Sequence, residues 1–236
     1  NIYIFIIIMF FLQNISYISQ YLFWNYLIYI SYNPINSLMD KYLINYKNIT
    51  PKHKKIYVVS NLIKGLILGL NSQIGIRLLY NYYRYGLWDF RTIKSFGAIY
   101  ASLDMVSMFK VEKMQINTKI HHIMVQVLYF VGLIRYNFSK NSLANPMVVY
   151  AIYSGLAYLV NIYLSLRVFV KNEKLLKMMK YASYIIYINC CLQNWLYQGY
   201  FLTTSKNIPL IEKGIYGSII MSIMYDDWVL IKYLKK

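Results

Sequence analysis

Carboxylates are nearly missing from this chain, with eight Asp and Glu against 25 Lys and Arg in 236 residues. Charge of either sign amounts to 14% of positions, where a soluble domain would carry about a quarter. That deficit, beside a hydrophobic share of 58%, excludes an ordinary water-soluble enzyme. The two cysteines, Cys190 and Cys191, are neighbours, which excludes the spacings of a disulfide framework or a zinc ribbon. Glycine and proline are also scarce, at ten and four, and no low-complexity linker or soluble module breaks the chain. The short alternating runs that barrel strands need are absent, which leaves helices as the way to span a bilayer.

What is present is a series of long apolar runs. They predict an all-α polytopic membrane protein with about seven transmembrane helices, near residues 2–32, 56–80, 93–109, 120–138, 146–170, 178–202 and 215–234. All but the longer first run fall within the roughly 17–25 residues that cross a hydrocarbon core. The first run is interrupted by Gln13 and Asn14, is expected to stop at Pro34, and is long enough to read as a retained helix rather than a signal peptide. Residues 1–54 form an N-terminal helix with a basic loop, and residues 55–236 form a six-helix membrane domain. Ile, Tyr, Asn and Lys are all abundant, the mark of A/T-rich coding, so the 28 tyrosines are not all interface anchors.

The net charge of +17 is scattered between apolar runs, which points to loop bias and to no nucleic-acid partner. Counted by loops, sixteen basic residues fall on one side and eight on the other, with Lys64 inside a run. The positive-inside rule then puts the C-terminus on the cytosolic side. The sequon at Asn137 would face the lumen and that at Asn48 the cytosol.

His121 and His122 are adjacent near the start of the fourth run, and Asp104 lies inside the third. An ionisable group at membrane depth needs a partner, a watery cavity or a role. Asp104 is expected to pair with Lys64, Arg77 or a histidine. Histidine serves as acid, base or nucleophile near neutral pH. Neighbours on a helix point about 100° apart, so one ring can face a cavity while the other is held elsewhere. The pair lacks the i, i+4 spacing of helical zinc sites and no third ligand lies nearby in sequence, so no metal is expected. Further polar residues recur at helical spacing, and Lys64, Asn71, Arg77, Asn161, Asn189 and Gln193 are candidate linings of an interior lipid cavity. The alternative is that such side chains bond between helices, as Asn194 and Gln198 at i, i+4 would. Asp226 and Asp227, beside Trp228, read as an interfacial boundary.

Three stretches, IYVVSNLIKGLILGLNS, IYASLDMVSMF and KIHHIMVQVLYFVGL, together with NIYLSLRVF in the fifth run, resemble the TLC superfamily. That superfamily includes ceramide synthases and translocon-associated membrane proteins. The resemblance covers about residues 55–234, with the first helix as the extra one that ceramide synthases also have. It implies six helices around a lipid-holding cavity open toward the cytosol, in the endoplasmic reticulum membrane, with a membrane lipid as partner and no cofactor beyond acyl-CoA as co-substrate. Carried over, His121 and His122 are the reactive pair for acyl transfer to an amine. The chain departs from ceramide synthases at Val125, where they have Thr, in the absence of any acidic residue from Val148 to Val170, and at Ile63 and Lys64, where many members carry His. A second reading from composition and short loops is an accessory subunit of a larger organellar, mitochondrial or virus-related membrane complex, with other membrane subunits as partners.

Overall fold

The computed structural model describes residues 2–135 and 142–235, with side chains over 14–134 and 142–235. The sequon at Asn137 and the Gln13 side chain lie outside these. The described residues form helices throughout: α1 (Ile2–Tyr42), α2 (Ile44–Lys47), α3 (Lys52–Tyr85), α4 (Phe90–Lys110), α5 (Ile116–Arg135), α6 (Ala144–Leu156), α7 (Leu159–Leu166), α8 (Glu173–Thr204) and α9 (Leu210–Lys235). The chain is all-α, with no strand among the described residues.

Several boundaries have visible causes. Gly86 ends α3 in the left-handed conformation, φ 66°, with its N–H donating to Tyr82 O, a conformation glycine adopts at little cost. Asp89 caps α4 by accepting from the Thr92 N–H, and the Thr92 hydroxyl donates to its other oxygen at 2.6 Å. These bonds hold the exposed Asp89 carboxyl below the usual carboxylate range. Asn172 caps α8 in the same way through Leu175.

Two expectations are corrected. The first helix does not stop at Pro34 but continues to Tyr42. A helical proline forfeits one backbone bond and costs roughly 3 kcal/mol. Here Ile28, Tyr32 and Met39 on either side of it are buried in the main core, and that packing outweighs the local cost. The fifth run is not one helix to Val170: α6 and α7 are bent by 40° at their junction. Tighter i→i+3 bonds, Tyr158 N–H to Gly155 O at 3.2 Å and Val160 N–H to Ala157 O at 3.0 Å, carry the chain through the bend.

The rods close into a ring. α3, α4, α5, α9, α8 and the bent α6–α7 rod each touch the next, α6 also leans onto α4 and α5, and α1 packs along α4 and α3 as an added rod. Glycines set the closest approach, between α3 and the bent rod. A Cβ on Gly65 would sit 2.6 Å from Ile162 Cγ1 and 3.0 Å from its backbone nitrogen, and one on Gly69 would press on the Tyr158 ring. Small residues that let helix backbones meet are the usual device where helices pack in lipid.

Charge gathers at one end of the ring. The Arg167 guanidinium lies 4.7 Å from the Tyr233 ring and donates to the Tyr57 hydroxyl at 3.4 Å, which ties together the start of α3, the end of α7 and the end of α9. Around the outside, large apolar side chains stand uncovered: Leu70 is 81% exposed, Leu196 71% and Leu210 86%. Among the described residues α3 is long and apolar enough to cross a bilayer by itself, and α6 with α7 makes a second if they form one bent span.

Candidate functional site

On α4, Phe96, Tyr100, Asp104 and Ser107 recur at helical spacing and are all buried. On α5, His121, Val125 and Leu128 do the same. The turn at 111–115 reverses the chain, so these faces meet. Gln126, four residues after His122, fixes the pairing by donating to Ala101 O at 2.9 Å while accepting from the Tyr21 hydroxyl at 2.8 Å.

Asp104 is fully buried. Lys64 of α3 donates to its Oδ1 at 2.5 Å, and His122 Nδ1 stands 3.1 Å from the same oxygen. The expected pairing of Asp104 is thus made twice, with Lys64 and with a histidine, while Arg77 is exposed. His121 turns the other way. Its Nδ1 lies 3.2 Å from Asp226 Oδ2 on α9, and its Nε2 meets the Tyr150 hydroxyl on α6 at 2.9 Å. The two rings are 5.6 Å apart and inclined by 76°, as adjacent helix positions require. Neither Nδ1 is in line for a hydrogen bond with its carboxylate, and Asp104 Oδ2 has no partner.

Asp226 and Asp227 are not an interfacial boundary. Asp226 accepts from Thr118 at 3.2 Å as well as facing His121, and the buried Asp227 accepts from the Tyr187 hydroxyl at 2.8 Å. The buried stripe Ile220, Ile223, Asp227, Ile231, Leu234 on α9 was the signal in the sequence: Asp227 occupies a core position, and its neighbour turns toward α5.

Beyond His121 a short chain of hydroxyls leads into an apolar cleft. Tyr150 lies 3.4 Å from the Tyr100 hydroxyl, which in turn bonds Ser154 at 2.6 Å. Tyr100 and Tyr150 also wall a half-open cleft between α4, α5 and α6, with about 70 Å³ of free space inside it. Its other walls are almost wholly apolar, from Phe96 and Ala101 to Leu128, Leu133 and Val148. On α5 it extends from Val125 to Leu133, about 12 Å at 1.5 Å per residue. A Cβ on Gly132 would meet only Met147 Sδ at 3.9 Å, so this glycine leaves space. A second, much smaller cavity of about 10 Å³ lies across Tyr150, lined by Tyr187, Cys191, Asn194 and Asp227.

The structure brings Asp104, Lys64, His121 and His122 together and leaves the other expected cavity residues apart. Arg77, Asn189 and Gln193 are exposed, and Asn71 and Asn161 are half-buried; none lines either cavity. Asn71 and Asn189 spend their amides on the carbonyls four residues back, Ile67 and Ile185. Asn194 and Gln198 instead join helices: the Gln198 amide donates to Asn194 Oδ1 and to Pro146 O, both at 2.9 Å, and its oxygen accepts from the Tyr216 hydroxyl. Helical polar side chains can be satisfied against their own backbone, as Asn71 and Asn189 are, without lining a cavity.

The third ligand absent from the linear spacing is supplied through space: a donor atom from each of Asp104, His121 and His122 lies within 4.8 Å of the others. Comparison with protein-family models, with curated proteins and with solved structures returned no match.

Proposed function

We propose that this chain is a polytopic membrane protein with a TLC-like bundle that holds the acyl chain of a long-chain lipid in the α4–α5–α6 cleft and brings the lipid's polar end to Asp104, His121 and His122. Tyr150 carries this reading. Its ring walls the apolar cleft and its hydroxyl meets His121 Nε2 at 2.9 Å, so one side chain joins a chain-holding surface to an ionisable cluster. The uncovered Leu70, Leu196 and Leu210 support a lipid surround, since soluble monomers rarely leave large apolar patches bare. By resemblance and loop charge, the membrane is that of the endoplasmic reticulum, with the C-terminus cytosolic.

The chemistry such a cluster suits is acyl transfer from acyl-CoA to an amine. As the amine nitrogen attacks the thioester carbonyl, the N–C bond forms and the C–S bond breaks. The proton leaves the nitrogen for a histidine and passes to the departing thiolate. The Asp226 carboxylate beside His121 would steady the imidazolium, the orienting role that the α6–α7 rod, lacking acidic residues, does not fill.

The test combines two readouts on detergent-purified protein. Native mass spectrometry is expected to show a lipid adduct that is lost in Gly132→Leu, which fills the cleft. Incubation with acyl-CoAs of several lengths and a long-chain amine is expected to give an N-acyl product that His121→Ala abolishes. Protein that carries no lipid and makes no His121-dependent product at any chain length overturns the reading.

A second reading, an accessory subunit, is favoured by Asn189 and Gln193. They stand exposed one turn apart on α8 among the exposed Ile185, Ile186, Leu192 and Leu196, a mixed polar and apolar face that a neighbouring membrane subunit would cover.

A further inference from the structure

The geometry points to a divalent transition-metal site at Asp104, His121 and His122. This inference does not rest on lipid binding. Three observations carry it.

The first is convergence: two imidazoles and a carboxylate, all buried, each offer a donor atom within 4.8 Å of the other two. Some point then lies within about 2.8 Å of all three atoms, a modest side-chain rotation from the ~2.1 Å of a zinc–imidazole bond. The second is unmet bonding. Asp104 Oδ2 is buried with no partner, and His121 Nδ1 and His122 Nδ1 face carboxylate oxygens at 3.2 and 3.1 Å without an aligned hydrogen bond, although buried polar atoms are nearly always satisfied. That these atoms fall on the three converging residues marks a place for a group that accepts lone pairs. The third is charge. Asp104, Asp226 and Asp227 bring three carboxylates to this part of the ring, and Lys64 is paired with Asp104. Buried carboxylates need compensating positive charge, and a dication beside neutral imidazoles supplies it.

Lys64 and His122 Nδ1 both reach Asp104 Oδ1, while Oδ2 has no partner. A cation would take Oδ2, with Lys64 as an outer partner that holds the carboxylate in place, the usual support of a metal ligand. Asp226, 3.2 Å from His121 Nδ1, is placed to approach as a fourth donor. Two nitrogens with one or two carboxylate oxygens suit zinc, iron, cobalt or manganese rather than copper(I) or calcium. A cation held here would contribute by polarising a carbonyl instead of leaving His121 to take a proton. Metal binding and acyl transfer are therefore measured separately.

Metal-free full-length protein in detergent is titrated with Zn²⁺ by calorimetry and with Co²⁺ by visible absorption. The expected result is one equivalent of Zn²⁺ per chain and a Co²⁺ ligand-field spectrum unlike that of the aqua ion. His122→Ala and Asp104→Asn are expected to weaken Zn²⁺ binding beyond the ~10–100-fold typical of outer-shell changes, whereas Lys64→Gln stays within that range and surface His53→Ala has no effect. Folding of each variant is checked by its melting temperature, and the wild-type Co²⁺ spectrum decides the question if a variant does not fold. An aqua-like spectrum, no stoichiometric Zn²⁺ binding, or binding that survives in a folded His121→Ala/His122→Ala protein overturns the site. Loss of lipid adducts in Gly132→Leu with Zn²⁺ binding retained separates this site from the cleft.

Discussion

The two ends of the α4–α5–α6 interface are built on the same helices yet follow opposite rules. Toward the start of α5, Asp104, His121, His122 and Lys64 crowd into contact with almost no free space. Toward its end, Leu128, Leu133 and Val148 stand back from one another around an apolar cleft. Tyr100 and Tyr150 mark the border, with rings on one side and hydroxyls on the other. The charged end is held by specific pairs, Asp104 with Lys64 and His122, and His121 with Asp226 and Tyr150, and the apolar end is under-filled. Such a division suits a site that grips a variable chain loosely and its polar end tightly.

The sharpest way to break this comparison is at the charged end. Asp104→Ala leaves the half-buried Lys64 ammonium without its partner, and breaking a buried pair costs up to roughly 3–5 kcal/mol. The melting temperature in detergent is expected to fall steeply. Lys64→Met with Asp104→Leu is expected to recover most of the loss, because replacing both members of a buried pair by apolar groups is often near neutral. A double variant no better than Asp104→Ala would show that His122, not Lys64, holds the carboxylate.

The wall shared by neither end comes next. Gly65→Ala forces a methyl against Ile162 and its backbone nitrogen, and overpacking of this kind costs about 1–3 kcal/mol. Thermal melting is expected to show this with lipid binding otherwise unchanged. At the border, Tyr150→Phe keeps the ring in the cleft and removes the hydroxyl from His121 and Tyr100. A loss of about 1–2 kcal/mol is expected, with bound lipid retained and any acyl-transfer product reduced. The smallest effect is expected at Asp89→Ala, where the exposed cap of α4 is worth about 1 kcal/mol, measured as a small shift in melting temperature.

Much of the charged end was legible in the sequence. An aspartate inside an apolar run must find a partner, and the short link between α4 and α5 sets Asp104 and the histidines at one depth. Lys64 was open to the same logic. The apolar end was not legible. Tyr100 and Tyr150 are two among 28 tyrosines, and nothing local separates a cleft wall from a lipid-facing ring. Asp226 was misjudged because a boundary reading weighs its neighbour Trp228 and ignores the buried stripe on α9 that turns it inward. Asn189 and Gln193 were overvalued, since spacing reports which side of a helix a residue occupies but not what that side faces. Pro34 and the α6–α7 bend moved boundaries for the same reason: packing across the bundle, invisible locally, outweighed or reshaped backbone preference.

The central claim is that the cleft and the histidine cluster serve one ligand. It is tested most directly by photo-crosslinking the membrane-embedded protein with a fatty acyl probe that carries a diazirine at the chain's far end. The account predicts label on α5 between Leu128 and Leu133 and on the facing residues of α4 and α6, with labelling lost in Gly132→Leu. Label confined to outward side chains such as Leu70 and Leu196, unchanged in that variant, would contradict it.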